Sequence, residues 1–160
     1  MKDQKKSPIV ALAWAVGLPG FGQIYNRDYV WALVLMAWEL YVNLQAEINL
    51  SLYYTIQLDF EQAHDIVNFE WGLFYPSVYA FSMWQAYNQA RVLNGKQGMD
   101  LTGFFVGSVV GMVIGITLYF SWTMHTPFAS PVISGILLGL IAGFIGHLIE
   151  KRFVRKRTDY

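Results

Sequence analysis

The sequence predicts an all-α integral membrane protein with four transmembrane helices and a short, broken N-terminal helix. Hydrophobic residues make up 55% of the 160 residues and charged residues only 14%, whereas a soluble domain usually carries about 25% charged residues. The mean hydropathy is +0.35. Apolar stretches alternate with polar breaks along the chain, which is interpreted as a single membrane domain, 1–160.

The composition also excludes several classes of protein and site. A formal net charge of zero argues against a nucleic-acid partner, and 17% aromatic residues argue against disorder. The absence of cysteine excludes disulfides, thiolate catalysis and Cys-ligated metals. Neither a cofactor nor a metal site is predicted, because no set of His, Asp and Glu converges in a recognisable motif.

The first apolar stretch is too short for a simple span. About 20 residues are needed to cross the hydrocarbon, but Gly17 and the pair Pro19-Gly20 interrupt this stretch after roughly half of that length. We therefore predict a re-entrant or interfacial helix. A full span with an external N-terminus and a cleaved signal peptide are the alternatives.

Four longer apolar stretches follow, and the charges between them predict their orientation. The stretches cover 29 to beyond 41, 71–90, 103–124 and 131–149. Segment 46–70 has five acidic and no basic residues, with apolar residues at helical spacing, so it is predicted as an extracytoplasmic helical cap. The positive-inside rule places the 91–100 loop and the basic tail, 151–160, in the cytoplasm. The tail is interpreted as a topological anchor that attracts anionic lipids, and a docking site for a cytoplasmic partner or a specific lipid is the alternative.

A compact turn motif connects the first two stretches. It consists of Pro19, Gly20, Gly22, Gln23 and Tyr25 in the run PGFGQIY. Proline ends a helix, and glycines allow positive φ and close helix approach. The pattern therefore favours a packed turn, with an ion or lipid site at the turn as the alternative.

Residues 7–45 resemble the opening of TM2-domain-like bacterial membrane proteins. The resemblance lies in a lysine-flanked alanine/leucine run, the Pro-Gly-x-Gly-Gln-x-Tyr turn and a second apolar helix, which together form a helical hairpin. The chain departs from the pattern at Arg27-Asp28, where related sequences often have glycine. The resemblance implies a small multi-pass protein of the bacterial cytoplasmic (inner) membrane. It implies no enzymatic activity.

The last two stretches carry glycine at every fourth position. The glycines are Gly103, Gly107, Gly111 and Gly115 in one stretch, and Gly135, Gly139 and Gly143 in the other. Small residues at this spacing let helix backbones pack closely. The favoured interpretation is an antiparallel hairpin packed on both glycine faces. The alternatives are one zipper between subunits, or a glycine-lined pore.

Glu39 is the acidic residue predicted inside the second stretch, with Asn43 one turn further on. A charge in the hydrocarbon costs about 2.5–3.5 kcal/mol and needs a partner or a proton. The expected partners are Gln85, Asn88 or Arg91 in the third stretch. Glu39 is then either a hydrogen-bonded lock between two helices or a site for protons or cations.

These features together predict a non-enzymatic scaffold or assembly/accessory subunit that acts through glycine-zipper packing. The alternative is a small channel or transporter that handles protons or cations through Glu39 and the polar residues of the third stretch. The expected partners are the lipid bilayer and either further copies of the chain or another membrane protein.

Overall fold

The computed structural model describes residues 5–96, 99–118 and 126–158, and these are folded almost entirely into α-helices. A 3-10 turn, Pro127–Ala129, precedes the last helix. The helices are α1 (Pro8–Gly17), α2 (Phe21–Asn26), α3 (Tyr29–Ala46), α4 (Ile48–Ile56), α5 (Phe60–Asp65), α6 (Phe69–Gly72), α7 (Tyr75–Leu93), α8 (Thr102–Thr117) and α9 (Pro131–Thr158).

The prediction of four transmembrane helices is wrong. Within the described ranges, one stretch, Pro131–Phe153 of α9, is long and apolar enough to cross a membrane, with a mean hydropathy of 2.3 over its best 18-residue window. Helix α8 has 16 residues, and the end of the predicted stretch, 119–124, lies outside the described residues. Helices α3 and α7 are long enough to cross a membrane, with 18 and 19 residues. Their hydropathy is too low, because it is reduced by the polar residues that pack them together.

The short N-terminal stretch folds as two helices, α1 and α2, that double back on α7. Ser7 begins α1 by accepting a hydrogen bond from the Val10 amide, and Leu18 ends it in extended conformation. The Ser7 amide donates to the Tyr25 hydroxyl over 3.0 Å. The C-terminal part of α2 therefore lies beside the N-terminus of α1.

The acidic stretch 46–70 is helical, as predicted, but it is broken into α4, α5 and α6. Glu47 separates α3 from α4 and Leu58 lies between α4 and α5, both with positive φ. Asp59 and Asn68 cap α5 and α6. The Thr55 hydroxyl lies 2.7 Å from the Ser130 hydroxyl. This bond joins the acidic stretch to the start of α9.

Helix α7 lies at the centre of the bundle, in contact with α1, α2, α3 and α8. Small residues form the closest part of its packing: Ala86 and Ala90 meet Ala11 and Ala15 of α1, all fully buried. The predicted basic tail is not a separate segment, because α9 continues through it to Thr158.

Candidate functional site

The turn motif is held on α7 by Gln23, which is completely buried. Its side-chain amide donates to the Ser82 carbonyl oxygen over 2.9 Å and to Gln85 Oε1 over 2.7 Å. Its Oε1 accepts from the Ser82 hydroxyl over 3.3 Å. The Gly20 amide donates to the same hydroxyl over 3.2 Å. The motif is thus a packed turn with its polar atoms satisfied by α7.

The two glycines of the turn are required by close approach. A Cβ at Gly20 would lie 2.7 Å from the Ala32 carbonyl oxygen, and its φ of +103° disfavours any other residue. A Cβ at Gly22 would lie 2.6 Å from the Ala86 side chain. Glycine at these two positions therefore lets α2 reach both α3 and α7.

A second polar contact extends the same α7 face by one turn. Asn26 Nδ2 donates to the Ala86 carbonyl oxygen over 2.8 Å and to Gln89 Oε1 over 3.2 Å. Gln89 Nε2 and Gln85 Nε2 donate to Asp28 Oδ2 over 2.6 and 3.3 Å. Asp28 also caps α3. The face formed by Ser82, Gln85 and Gln89 therefore binds the turn between α1 and α3.

Glu39 is buried and bonded to a residue that sequence analysis did not select. The Tyr75 hydroxyl and the Asn43 side-chain amide both donate to its Oε1 over 3.3 Å. Asn43 Oδ1 in turn accepts from the Asn49 amide over 3.1 Å. Gln85, an expected partner, bonds instead to Gln23 and Asp28. Glu39 thus links α3 to the first turn of α7.

Burial raises the pKa of the Tyr75 hydroxyl well above its ordinary value, and the neighbouring Tyr79 and Glu39 add to the shift. Burial likewise raises the pKa of Tyr79. Both hydroxyls therefore stay protonated at physiological pH. Tyr75 acts here as a neutral hydrogen-bond donor to Glu39 Oε1.

The other two expected partners of Glu39 form a separate cluster at the opposite end of α7. Asn88 Nδ2 donates to the Asp100 carbonyl oxygen over 3.0 Å, and Asn88 Oδ1 accepts from the Asp100 amide over 2.8 Å. Arg91 pairs with the Asp100 carboxylate at 3.7 Å and donates to Asn88 Oδ1. These bonds fix the connection between α7 and α8.

The glycine stripes of α8 and α9 face each other. A Cβ at any of the four α8 glycines would lie within 3.0 Å of an α9 carbonyl oxygen, so the two backbones are in direct contact. These glycines are Gly103, Gly107, Gly111 and Gly115. On α9, Gly139 and Gly143 meet side chains of α8, Met112 and Ser108. The predicted hairpin packed on both glycine faces is confirmed.

The opposite face of α9 is apolar and exposed. Only 22% of its best apolar window is buried. The exposed residues recur at helical spacing as Leu137, Leu140, Ile141, Phe144, Ile145 and Leu148. Val106, Val110 and Ile114 form a similar exposed row on α8. The hairpin therefore has apolar rows on its outer surface and glycine packing on its inside.

No protein-family model, curated protein or solved structure matches the chain. The resemblance to TM2-domain-like proteins consequently stays a prediction from residues 7–45.

The structure groups the predicted polar residues differently from the sequence interpretation. Glu39 and Asn43 are together as expected, whereas Gln85 joins the turn motif, and Asn88 and Arg91 join Asp100. Sequence reasoning missed Tyr75, Ser82 and Gln89. The last two could have been found, because Ser82, Gln85 and Gln89 follow the i, i+3, i+7 spacing of one helix face.

Proposed function

We propose that the chain is a non-enzymatic accessory protein anchored in a membrane by the α8–α9 hairpin, with α1–α7 serving as a rigid platform for a membrane-protein partner. The observation that carries the proposal is the apolar, largely exposed surface of α9. A core helix of a soluble domain hides such a surface, whereas a helix in hydrocarbon exposes it to lipid. Pro131–Phe153 has 23 residues, enough for about 35 Å of helix.

The glycine packing supports an anchor role for the hairpin. Because the two stripes are in contact with each other, they are not free to form an intersubunit zipper in this arrangement. Close backbone packing is a main source of helix association in lipid, where the hydrophobic effect between helices is absent. The hairpin is therefore suited to hold together inside a membrane, and a partner would contact other surfaces.

The buried polar groups support a structural rather than a catalytic role. Gln23, Glu39 and Asn88 are each at most 5% exposed, and each accepts or donates hydrogen bonds that join two segments. The alternative hypothesis, proton or cation handling, combines Glu39 and Asn43 with Gln85 in one site. In the part of the chain that the structure describes, these residues belong to different clusters.

The anchor is tested by placing one charge on the lipid-facing side of α9. Ile145→Arg should reduce retention in alkali-washed membranes, because arginine at the centre of a bilayer costs about 2.5–3.5 kcal/mol. Ile56→Arg is the matched control: Ile56 is 68% exposed and Ile145 51% exposed, but Ile56 lies in the acidic stretch. We expect the wild type and the control to remain in the membrane fraction.

The accessory role is tested by native mass measurement of the tagged wild-type chain after gentle extraction from its own membrane. A stoichiometric foreign subunit is the expected result. A chain that stays in aqueous solution without detergent would refute the anchor. A closed homo-oligomer that loses cation flux in liposomes on Glu39→Gln would refute the accessory role in favour of a channel.

A further inference from the structure

The fold brings basic segments that are distant in the sequence to one end of the helix bundle. The Lys6 amide donates to Asn94 Oδ1 over 3.0 Å, and the Asn94 side-chain amide donates to the Lys6 carbonyl oxygen. The Lys6 ammonium lies 4.7 Å from the centre of the Tyr25 ring. The start of α1, the end of α2 and the end of α7 therefore meet, although Lys6 and Asn94 are 88 residues apart in the sequence.

The basic end of α9 belongs to the same end of the bundle. Near the end of α7, Arg91 pairs with the Asp100 carboxylate, which lies just before α8. The Glu150 carboxylate accepts from the first two amides of α8, which brings the following residue, Lys151, close to the same place. Four separate segments therefore contribute basic residues to one surface.

Three exposed cations at this end form no ion pair with any residue that the structure describes. They are Lys5 before α1, Arg27 after α2 and Lys96 after α7. The contacts of Lys6 with α2 and α7 place all three at the same end. The basic residues described there outnumber the acidic ones, which are Asp28, Asp100 and Glu150. A partner with negative charge therefore matches this surface.

Exposed apolar side chains lie beside these cations. Ile9, in the first turn of α1, is 73% exposed, and Val92 and Leu93 at the end of α7 are 55% and 54% exposed. Basic and apolar side chains together suit the boundary of a bilayer, where the basic groups reach the headgroups and the apolar groups enter the acyl region. An acidic, purely polar protein surface would match the charges but would leave the apolar side chains without a partner.

We propose that Lys5, Arg27 and Lys96 form a surface that binds the headgroups of anionic phospholipids. The inference rests on the proposed anchor, because a spanning α9 brings its basic end, and this surface with it, to one face of a membrane. It is distinct from attraction of lipids by the basic tail, since all three residues lie far from the tail in the sequence. Near an anionic membrane each basic residue strengthens binding by about fivefold.

Native mass spectra of the full chain in detergent micelles measure the binding. The probes are phosphatidylglycerol and phosphatidylcholine with identical palmitoyl and oleoyl chains, so that they differ in net charge. We expect the wild type to bind phosphatidylglycerol more tightly by about tenfold or more, and added salt to reduce the difference. Equal binding of the two lipids would overturn the proposal. Displacement of phosphatidylglycerol by inorganic phosphate, beyond that by sodium chloride of equal ionic strength, would indicate a free-anion site and would also overturn it.

Neutralising the surface is the first test of its location. The triple variant Lys5→Gln, Arg27→Gln and Lys96→Gln should weaken phosphatidylglycerol binding by about tenfold or more, and phosphatidylcholine binding should stay within about twofold. Unchanged phosphatidylglycerol binding would refute the surface. If the triple variant loses its helical circular dichroism, Lys96→Gln alone should weaken binding by about 2–5-fold, and no change in this variant would refute the surface as well.

The matched control lowers the net charge by the same amount at the acidic end. It is the triple variant Gln45→Glu, Gln57→Glu and Gln62→Glu, at three exposed glutamines. We expect phosphatidylglycerol binding within about twofold of the wild type, because charges farther away than about 10 Å are largely screened at 0.1 M salt. Equal losses in the two triple variants would show that only net charge matters, and would overturn the proposal.

A charge-retaining variant separates charge from packing. Lys5→Arg, Arg27→Lys and Lys96→Arg together should keep phosphatidylglycerol binding within about twofold of the wild type. A loss as large as that of the glutamine variant would overturn the proposal. So would a foreign protein subunit that the glutamine variant loses while its lipid preference is unchanged, because the surface would then contact protein.

Failure of the anchor is visible separately from failure of this surface. The anchor fails if the wild type is lost from alkali-washed membranes. The lipid preference is measured in micelles, where no span is needed. We expect the glutamine variant to lose the preference and still remain in alkali-washed membranes as the wild type does.

Discussion

Gln23 uses both ends of its side-chain amide although it is fully buried. Its two donor bonds reach α7 at Ser82 and Gln85, and its oxygen accepts from the Ser82 hydroxyl. A hydrogen bond contributes about 0.5–1.5 kcal/mol when made, but a buried polar group left without a partner costs about 1–3 kcal/mol. Gln23 therefore fixes the position of the turn on α7, because any displacement of the turn would break several of these hydrogen bonds at once.

We therefore expect Gln23→Leu to lower the free energy of unfolding by about 1–3 kcal/mol, since Gln85 and Ser82 lose a buried partner. Denaturant unfolding in detergent micelles, followed by circular dichroism, measures the change. Gln57→Leu is the matched control at an exposed glutamine and should stay within about 0.5 kcal/mol of the wild type. Equal effects of the two changes would contradict this account of the turn.

At the scale of the helices, the glycine hairpin has two unequal sides. On α8, each stripe glycine lies against the backbone of α9, which cannot move aside cheaply. On α9, Gly135 lies against the Ile116 side chain, and a Cβ there would be 3.1 Å from Ile116 Cγ1. A side chain can shift by a few tenths of an ångström. The glycine spacing is therefore the same on both helices, but Gly135 of α9 should tolerate substitution better than the glycines of α8.

Gly111→Ala should therefore destabilise the hairpin by about 1–3 kcal/mol through overpacking against the Leu138 carbonyl oxygen. Gly135→Ala is the control within the same interface. Its smaller clash is opposed by a helix-propensity gain of about 0.5–1 kcal/mol, so we expect almost no change. Thermal unfolding in micelles reports both variants. If Gly111→Ala dissociated an oligomer and left the unfolding temperature unchanged, the α8 stripe would belong to an intersubunit contact instead.

Across the whole molecule, the two ends differ in charge and are fixed by hydrogen bonds. At one end, the Lys6 amide donates to Asn94 Oδ1 over 3.0 Å, and Glu150 accepts from the Thr102 and Gly103 amides. At the other end, the acidic stretch meets Ser130 at the start of α9. Helix α9 therefore runs from the acidic end to the basic end. If α9 is the membrane anchor proposed above, the positive-inside rule predicts a cytoplasmic C-terminus.

The absence of cysteine makes this orientation measurable with single thiols. Pro127→Cys and Lys151→Cys place one exposed thiol near each end of α9. We expect a membrane-impermeant reagent to label Pro127→Cys in intact cells and Lys151→Cys only after permeabilisation, because the reagent does not cross the bilayer and the positive-inside rule predicts that the basic end is cytoplasmic. Labelling of both positions in intact cells would contradict a spanning α9. The reversed pattern would contradict a cytoplasmic C-terminus.

Local chemistry made several elements predictable from the sequence. Ser7 and Asp28 mark the starts of α1 and α3 because their side chains cap these helices, and Pro8 suits the first turn of α1. The breaks at Glu47 and Leu58 were not predictable, since neither glycine nor proline marks them and both residues adopt a positive φ. In the folded chain, α4 packs on α9 and α5 on the 3-10 turn that precedes it, contacts between segments that are distant in the sequence.

The composition and spacing of residues were sufficient to predict an all-helical chain, the packed turn at Pro19-Gly20 and the glycine hairpin, because each depends on neighbours within a few residues or on one repeated period. The pairing of polar side chains depended on the folded chain. Glu39 and Tyr75 are 36 residues apart, and Gln23 and Ser82 are 59 apart. The polar residues of α7 look like interruptions in a span when read along the chain. In the bundle these residues form the hydrogen bonds that hold α2 and α3 in place. A buried donor or acceptor needs a partner, and here the fold supplies that partner from a distant part of the sequence.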